Sequence, residues 1–394
     1  MSAKNIDFLF FDAGGGHRAA AIALKATIEQ RYPEWAIRLV NLQEVMDELD
    51  IFRKITGTRM QDIYNYVLKK GWTLGTPQMT TIMHMLIRHY HPDQVDMLRE
   101  FWTGSSPDLV VSLVPNFGRA IYQGLKAAHP NTPLVTILTD LADYPPDFWV
   151  FPDQEQFYIC GTPRAYEQAR SLGYTPDRLF LVSGMVLHPK FYASPTIGRA
   201  MERRRLGLDP GLPTGLILFG GQGSTVMRPI LERVEDSGLD VQFIAICGKN
   251  EALRDNLSRR KWRMPVFVEG FTTDVPSYMR LSDFFIGKPG PGSISEAARL
   301  HLPVILERNA WTLPQERYNT DWIREMEAGI VLSNFRDIAR AVRELLEGDT
   351  LARYRSNLAK LDNQAVFEIP PILDRLMNAK EPAGCNSSLS PTPN

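Results

Sequence analysis

Residues 6–31 read IDFLFFDAGGGHRAAAIALKATIEQR. An apolar run at 6–11 breaks at Asp12 into three glycines, Gly14, Gly15 and Gly16, and an Ala-rich stretch fills 17–31. A short apolar run bounded by turn residues predicts a buried strand, and the stretch after the glycines predicts a helix. Strand, glycine turn and helix in succession open a parallel sheet covered by helices. The rhythm recurs along the chain. Apolar runs at 36–40, 109–114, 134–138, 157–160 and 180–182 extend this sheet, and a second series follows Pro195. There 215–219 runs into Gly220-Gly221-Gln222-Gly223, and strands are predicted at 241–246, 266–268, 283–287 and 303–306. The fold class is therefore α/β, with two successive strand–helix series, each opened by a strand and a glycine-rich turn.

The chain has 394 residues, with 44 Lys and Arg against 45 Asp and Glu. That length predicts two domains. The charge balance excludes a generally basic nucleic-acid binder, and no nucleic-acid partner is expected. Cys160, Cys247 and Cys385 are far apart and form no CxxC, so neither a disulfide framework nor a metal site is expected. The apolar run at 6–11 is too short for a signal peptide, and nothing approaches the ~20 apolar residues of a membrane span. A cytoplasmic protein, peripheral on the inner face of a membrane, fits these features. The expected divisions are a first strand–helix domain at 1–192, a second at 193–364, a helix at 365–380 and a disordered tail at 381–394.

Segment 51–92 interrupts the first series. It holds Arg53, Lys54, Arg59, Lys69, Lys70 and Arg88 against Asp62, together with Phe52, Tyr64, Tyr66, Trp72 and Tyr90. A helical insertion with a solvated charged face explains this composition. So does a surface that sits on anionic lipid through Arg53, Lys54, Lys69, Lys70 and Trp72.

Four short motifs are candidates for chemistry. In the first, Gly15 and Gly16 let the backbone approach a ligand, and His17 opens a helix whose amides favour negative charge. The pattern is neither a dinucleotide fingerprint nor a phosphate loop with Gly-Lys-Ser/Thr. His17 suits a general base or a structural turn residue. The second is KPGPGSISEA at 288–297, where a strand meets a helix starting near Gly292. The amides of Gly292, Ser293 and Ile294 suit a diphosphate, and Glu296, one turn along, suits hydroxyl groups. The competing reading is an ordinary cap on Ser293 with Glu296 three residues later. The third is PQERYN at 314–319, where Gln315, Glu316 and Asn319 suit sugar hydroxyls or a solvated helix start. The fourth is Asp140 at a strand end, facing a ligand crevice or capping a turn.

These pieces together resemble the monogalactosyldiacylglycerol synthase and processive diacylglycerol glucosyltransferase family, related to the peptidoglycan GlcNAc-transferase. DAGGGHRAAA, ILTDL, GGQGS, ICGKNEAL, VEGFTTDVPSYM, KPGPGSISEA, LPVIL, PQERYN and NQAVF carry the resemblance, in order and over nearly the whole chain. Pro289, Ser293, Pro314 and Val186 stand where the family usually has Ala, Thr, Gly and Pro. The resemblance implies a GT-B fold of two Rossmann-like domains facing across a cleft, with the C-terminal helix packing back on the first. It implies inverting hexose transfer from a UDP-sugar to a lipid hydroxyl, diacylglycerol first, with no bound cofactor or metal. Gly270 and Phe271 would meet the uracil, Gly292 and Ser293 the diphosphate, and Glu296 the ribose. Gln315, Glu316 and Asn319 would meet the sugar, and Gly223 and Ser224 would lie near the phosphates. His17 would be the base, with Asp140 beside the acceptor. GlcNAc transfer to another lipid-linked acceptor and UDP-sugar epimerisation are the alternatives on the same scaffold. Oligomeric state is not legible at this level.

Overall fold

The computed structural model of the chain describes residues 4–12, 15–46, 87, 89–194 and 198–378. The membrane candidates Arg53, Lys54, Lys69, Lys70 and Trp72 and the tail at 381–394 lie outside the described residues. The first sheet contains β1 (Lys4–Phe10), β2 (Trp35–Asn41), β3 (Leu109–Ser112), β4 (Leu134–Ile137), β5 (Phe157–Cys160) and β6 (Leu179–Leu181). All are parallel, in the order β2-β1-β3-β4-β5-β6. The second contains β7 (Thr214–Leu218), β8 (Gln242–Ile246), β9 (Val266–Glu269), β10 (Phe284–Gly287), β11 (Val304–Glu307) and β12 (Gly329–Leu332). These are also parallel, in the order β12-β11-β10-β7-β8-β9.

The continuous apolar runs follow from burial on both faces. In β1, Ile6, Phe8 and Phe10 join one core, while Leu9 joins another on the opposite face. The first core lies under the helix Gly16–Arg31, and the second under helices His91–Thr103 and Gly118–Ala128. In the second sheet Ile217, Phe243, Phe284 and Ile286 feed one core, and Leu216, Leu218, Ile244 and Phe285 the other. Strand β12 has no counterpart in the sequence reading. It is a four-residue edge strand, and Gly329 lies so close to β11 that a Cβ there would stand 2.1 Å from the Val304 carbonyl oxygen.

The chain crosses from one half to the other twice. After β6 it leaves the first sheet, and Leu187 and Phe191 already belong to a core of the second. At the far end it returns, and Ala365, Val366, Ile369 and Leu373 of the helix Ala365–Asn378 complete the first core. The two crossings are bonded to each other. Asn363 Nδ2 donates to the Met185 carbonyl at 2.9 Å, and the Gln364 amide donates to Ser183 Oγ at 2.7 Å. Gly184 permits this contact, because a Cβ would stand 2.5 Å from Asn363 Cγ.

Each sheet has a point where strand order reverses, between β1 and β3 and between β7 and β10. Ligands of open parallel sheets collect outside the C-terminal strand ends at such points. The loops after β1, β4, β7 and β10 leave from those ends.

Candidate active site

On the first half, Gly15 precedes the helix Gly16–Arg31 in the left-handed region, at φ 83°, a conformation that glycine adopts without a Cβ penalty. His17 follows, half-buried. Its Nδ1 lies 2.8 Å from Thr139 Oγ, just past β4. Burial lowers its imidazole to about 4, so the ring is neutral near pH 7. Next along the chain, Asp140 is 6% exposed and accepts a 2.8 Å bond from the indole N–H of Trp149. The Trp149 ring lies 5.8 Å from that of His17. Burial pushes the Asp140 carboxyl up to about 7, against the lowering effect of the Trp149 bond. Asp143 shapes the loop that delivers Trp149, accepting from the Phe148 amide at 3.1 Å and the Trp149 amide at 2.6 Å.

Trp149 and Asp143 carried no signal in the sequence. A Trp nine positions beyond Asp140, in a loop with no periodicity, reads as core. The clue available in principle is that a buried indole N–H needs an acceptor.

On the second half, the turn after β7 holds Gly220 at φ 73° and Gly223 at φ 65°. A Cβ on Gly223 would stand 2.1 Å from the Cys247 carbonyl oxygen, so the backbones of the turns after β7 and β8 touch there. Ser224 Oγ accepts from the Val226 amide at 3.4 Å. After β9, Gly270 is buried and Phe271 stands 59% exposed, with Lys249 Nζ 5.5 Å from its ring centre.

After β10, the helix Pro291–Arg299 starts on Gly290 with no side-chain cap. The Ser293 capping alternative is therefore not the one realised. The Ile294 amide bonds the Gly290 carbonyl at 3.1 Å, and Pro291 has no N–H, so the amides of Gly292 and Ser293 are the two left to the helix start. This corrects the expectation of three. No atom lies within 4 Å of a Cβ built on Gly292, which faces open space. Glu296 is half-buried, and burial alone pushes its carboxyl up to about 8.

The helix Pro314–Glu325 supplies the remaining candidates. Gln315 is half-buried. Glu316 is 6% exposed and accepts a 2.7 Å bond from Lys288 Nζ. Asn319 is fully buried, and its Nδ2 donates to the Pro289 carbonyl at 2.7 Å, holding the loop before the Pro291 helix. Glu316 and Lys288 lie near enough to Asp140 that the first raises and the second lowers its proton affinity. The carboxyl of one half therefore faces the ion pair of the other. Nearby, Tyr144 and Tyr318 stack across the halves at 6.4 Å and 16°. Among the described residues, no cluster of three or more His, Cys, Asp or Glu side chains can hold a metal ion, and no helix is long and apolar enough to cross a membrane.

Residues 216–310 match the glycosyltransferase family 28 C-terminal domain. The chain is 28% identical to the probable monogalactosyldiacylglycerol synthase 2, chloroplastic, of Oryza sativa subsp. japonica, over 95% of this chain and 81% of that one. It is also 28% identical to the chloroplastic monogalactosyldiacylglycerol synthase of Spinacia oleracea, over 96% and 74%. Among solved structures, Acinetobacter baumannii MurG superposes with a TM-score of 0.59 at 13% identity, over 94% of this chain and 99% of that one. The S. aureus MnaA–UDP co-structure also gives 0.59, at 15% identity, over 95% and 96%. With two parallel sheets facing across a cleft and this likeness along almost its whole length, the chain is a GT-B glycosyltransferase that resembles the monogalactosyldiacylglycerol synthases.

Proposed function

We propose that the protein transfers galactose from UDP-galactose to the free hydroxyl of diacylglycerol, with inversion at the anomeric carbon. The observation that carries this reading is the approach of Asp140, which follows the His17 partner Thr139 on one half, to the Lys288–Glu316 pair on the other. The relatives named above supply the sugar and the acceptor.

In this reading UDP-galactose lies along the second half. Phe271 and Gly270 meet the uracil, Glu296 the ribose, and the Gly292 and Ser293 amides the diphosphate, beside Gly223 and Ser224. Gln315, Glu316 and Asn319 belong to the sugar end. The acceptor oxygen attacks the anomeric carbon from the side of the first half, and the bond to the diphosphate breaks. His17 takes the hydroxyl proton on Nε2. That requires Nδ1 to carry the other proton and donate it to Thr139 Oγ. The anionic donor raises the basicity of His17 from its low resting value. Asp140 orients Trp149 against the His17 ring and lines the acceptor side. Developing charge on the leaving diphosphate is held by backbone amides fixed in advance, which need not reorganise as the bond breaks.

The basic, aromatic segment 51–92 fits the acceptor's location. Diacylglycerol stays in a bilayer, and each Lys or Arg near an anionic surface contributes ~1 kcal/mol. Changing Arg53, Lys54, Lys69 and Lys70 to Glu should abolish cosedimentation with anionic vesicles and leave UDP binding intact. Equal sedimentation of variant and wild type would remove the segment from this role.

The deciding test offers UDP-galactose, UDP-glucose and UDP-GlcNAc with vesicles that contain or lack diacylglycerol, and follows UDP release and lipid products by mass spectrometry. Galactolipid formed only with diacylglycerol is the expected result. Sugar isomerisation without lipid would replace the reading with an epimerase.

A further inference from the structure

Lys288 is the last residue before the turn into the Pro291 helix, and its side chain runs between two glycine-rich turns. A Cβ on Gly220 would stand 3.8 Å from Lys288 Cε, and one on Gly290 would stand 3.4 Å from the same atom. Its ammonium ends 2.7 Å from Glu316 Oε1. The side chain is about a third exposed, whereas that of Glu316 is nearly covered. The cation therefore sits at the meeting point of the turn after β7, the turn before the Pro291 helix and the Pro314–Glu325 helix.

Charge makes this position informative. Glu316 already sets a carboxylate against this ammonium, with Asp140 close enough to feel both, and a nucleoside diphosphate sugar adds two negative charges beside them. Like charges brought together in a partly desolvated cleft repel strongly unless a cation intervenes. A lysine ammonium suits this task, being a compact point charge on a flexible stem with three rotatable donors.

We propose that Lys288 is a donor-binding residue that exchanges partners. In the empty cleft its ammonium neutralises Glu316. When the donor enters, it turns to the β-phosphate and leaves the Glu316 carboxylate to the hydroxyls of the sugar. This rests on the nucleotide-sugar reading above and adds a residue that the reading does not use. The β-phosphate follows from position: it bears the sugar, and Glu316 is the carboxylate on the sugar side.

The test compares UDP with UMP, which lacks the β-phosphate, by calorimetry. Removing Lys288 alone strands the buried Glu316 carboxylate. The informative variant is therefore Lys288→Met combined with Glu316→Gln, set beside each single change. The double variant should lose ~10–100-fold in UDP affinity, the scale of a charge-assisted hydrogen bond, and keep UMP affinity within about threefold. Glu316→Gln alone should bind UDP as tightly as wild type or more tightly, since the Glu316 carboxylate then no longer competes for the ammonium. If the double variant binds UDP like wild type, Lys288 serves only to neutralise Glu316 and the assignment is overturned. If wild type binds neither UDP nor UMP, the nucleotide-sugar reading falls first and this one with it.

Discussion

Two carboxyls and one imidazole in the cleft are held away from their ordinary protonation, and each shift has a measurable sign. His17 stays neutral near pH 7, the state a proton acceptor needs. His17→Ala should lower turnover ~10²–10⁴-fold and leave UDP affinity unchanged, because a general base acts in the transition state. Single-turnover rates beside calorimetry check this, and full activity in the variant would move the role to Asp140. Asp140 titrates at about 7 in the folded chain against an ordinary 3.8, so between those values the folded state holds the proton more tightly than the unfolded chain. The cost of an ionised Asp140 is absent below the lower value, grows with rising pH and is complete above about 7. Asp140→Asn keeps an acceptor for Trp149 and removes that cost. It should stabilise the protein at pH 8 by about 2–4 kcal/mol, change little at pH 4, and impair turnover at both. Urea unfolding at the two pH values measures the difference.

At the scale of elements, the turns after β7 and β10 do the positioning, and backbone geometry decides them. Gly223 combines a positive φ with a contact that leaves no room for a Cβ. Gly223→Ala should push the β7 turn off the Cys247 carbonyl, destabilise the fold by about 1–3 kcal/mol and weaken UDP binding. Gly292→Ala, into open space, should leave stability nearly unchanged. A melting-temperature pair for the two variants reads this contrast directly. The sequence showed the strands of both sheets except β12: the central strands are buried on both faces and read as continuous apolar runs, whereas β12 is a four-residue, half-buried edge strand that opens on Gly329. The glycine turns after β1 and β7 were legible because Gly15, Gly220 and Gly223 take positive φ, where glycine meets no Cβ penalty. Trp149, Asp143 and the Lys288–Glu316 pair were not, because each acquires its partner only when distant strand ends come together. The Ser293 cap failed as a reading for a local reason: with Gly290 and Pro291 starting the helix, Ser293 already lies inside its first turn.

The molecule as a whole is closed by its C-terminal helix. Ile369 is fully buried in the core of the first half, although the chain reaches it only after completing the second. Ile369→Asp places an unpaired carboxylate in that core and should destabilise the first half by at least ~3 kcal/mol. The second half should still bind UDP. Loss of galactolipid synthesis with UDP binding preserved would show the two halves coming apart in function as they do in sheet topology, whereas loss of both would show a single cooperative unit. The paired crossings at Met185 and Asn363 bear on motion of another kind. One tether would let the halves twist, slide and swing. Two tethers fastened side by side act as the pins of a door, leaving a swing about the line through them and resisting translation. The gap between His17 and the Pro291 helix is then set by a single angle, so one distance, followed by a pair of spectroscopic labels on opposite jambs, reports the entire opening coordinate.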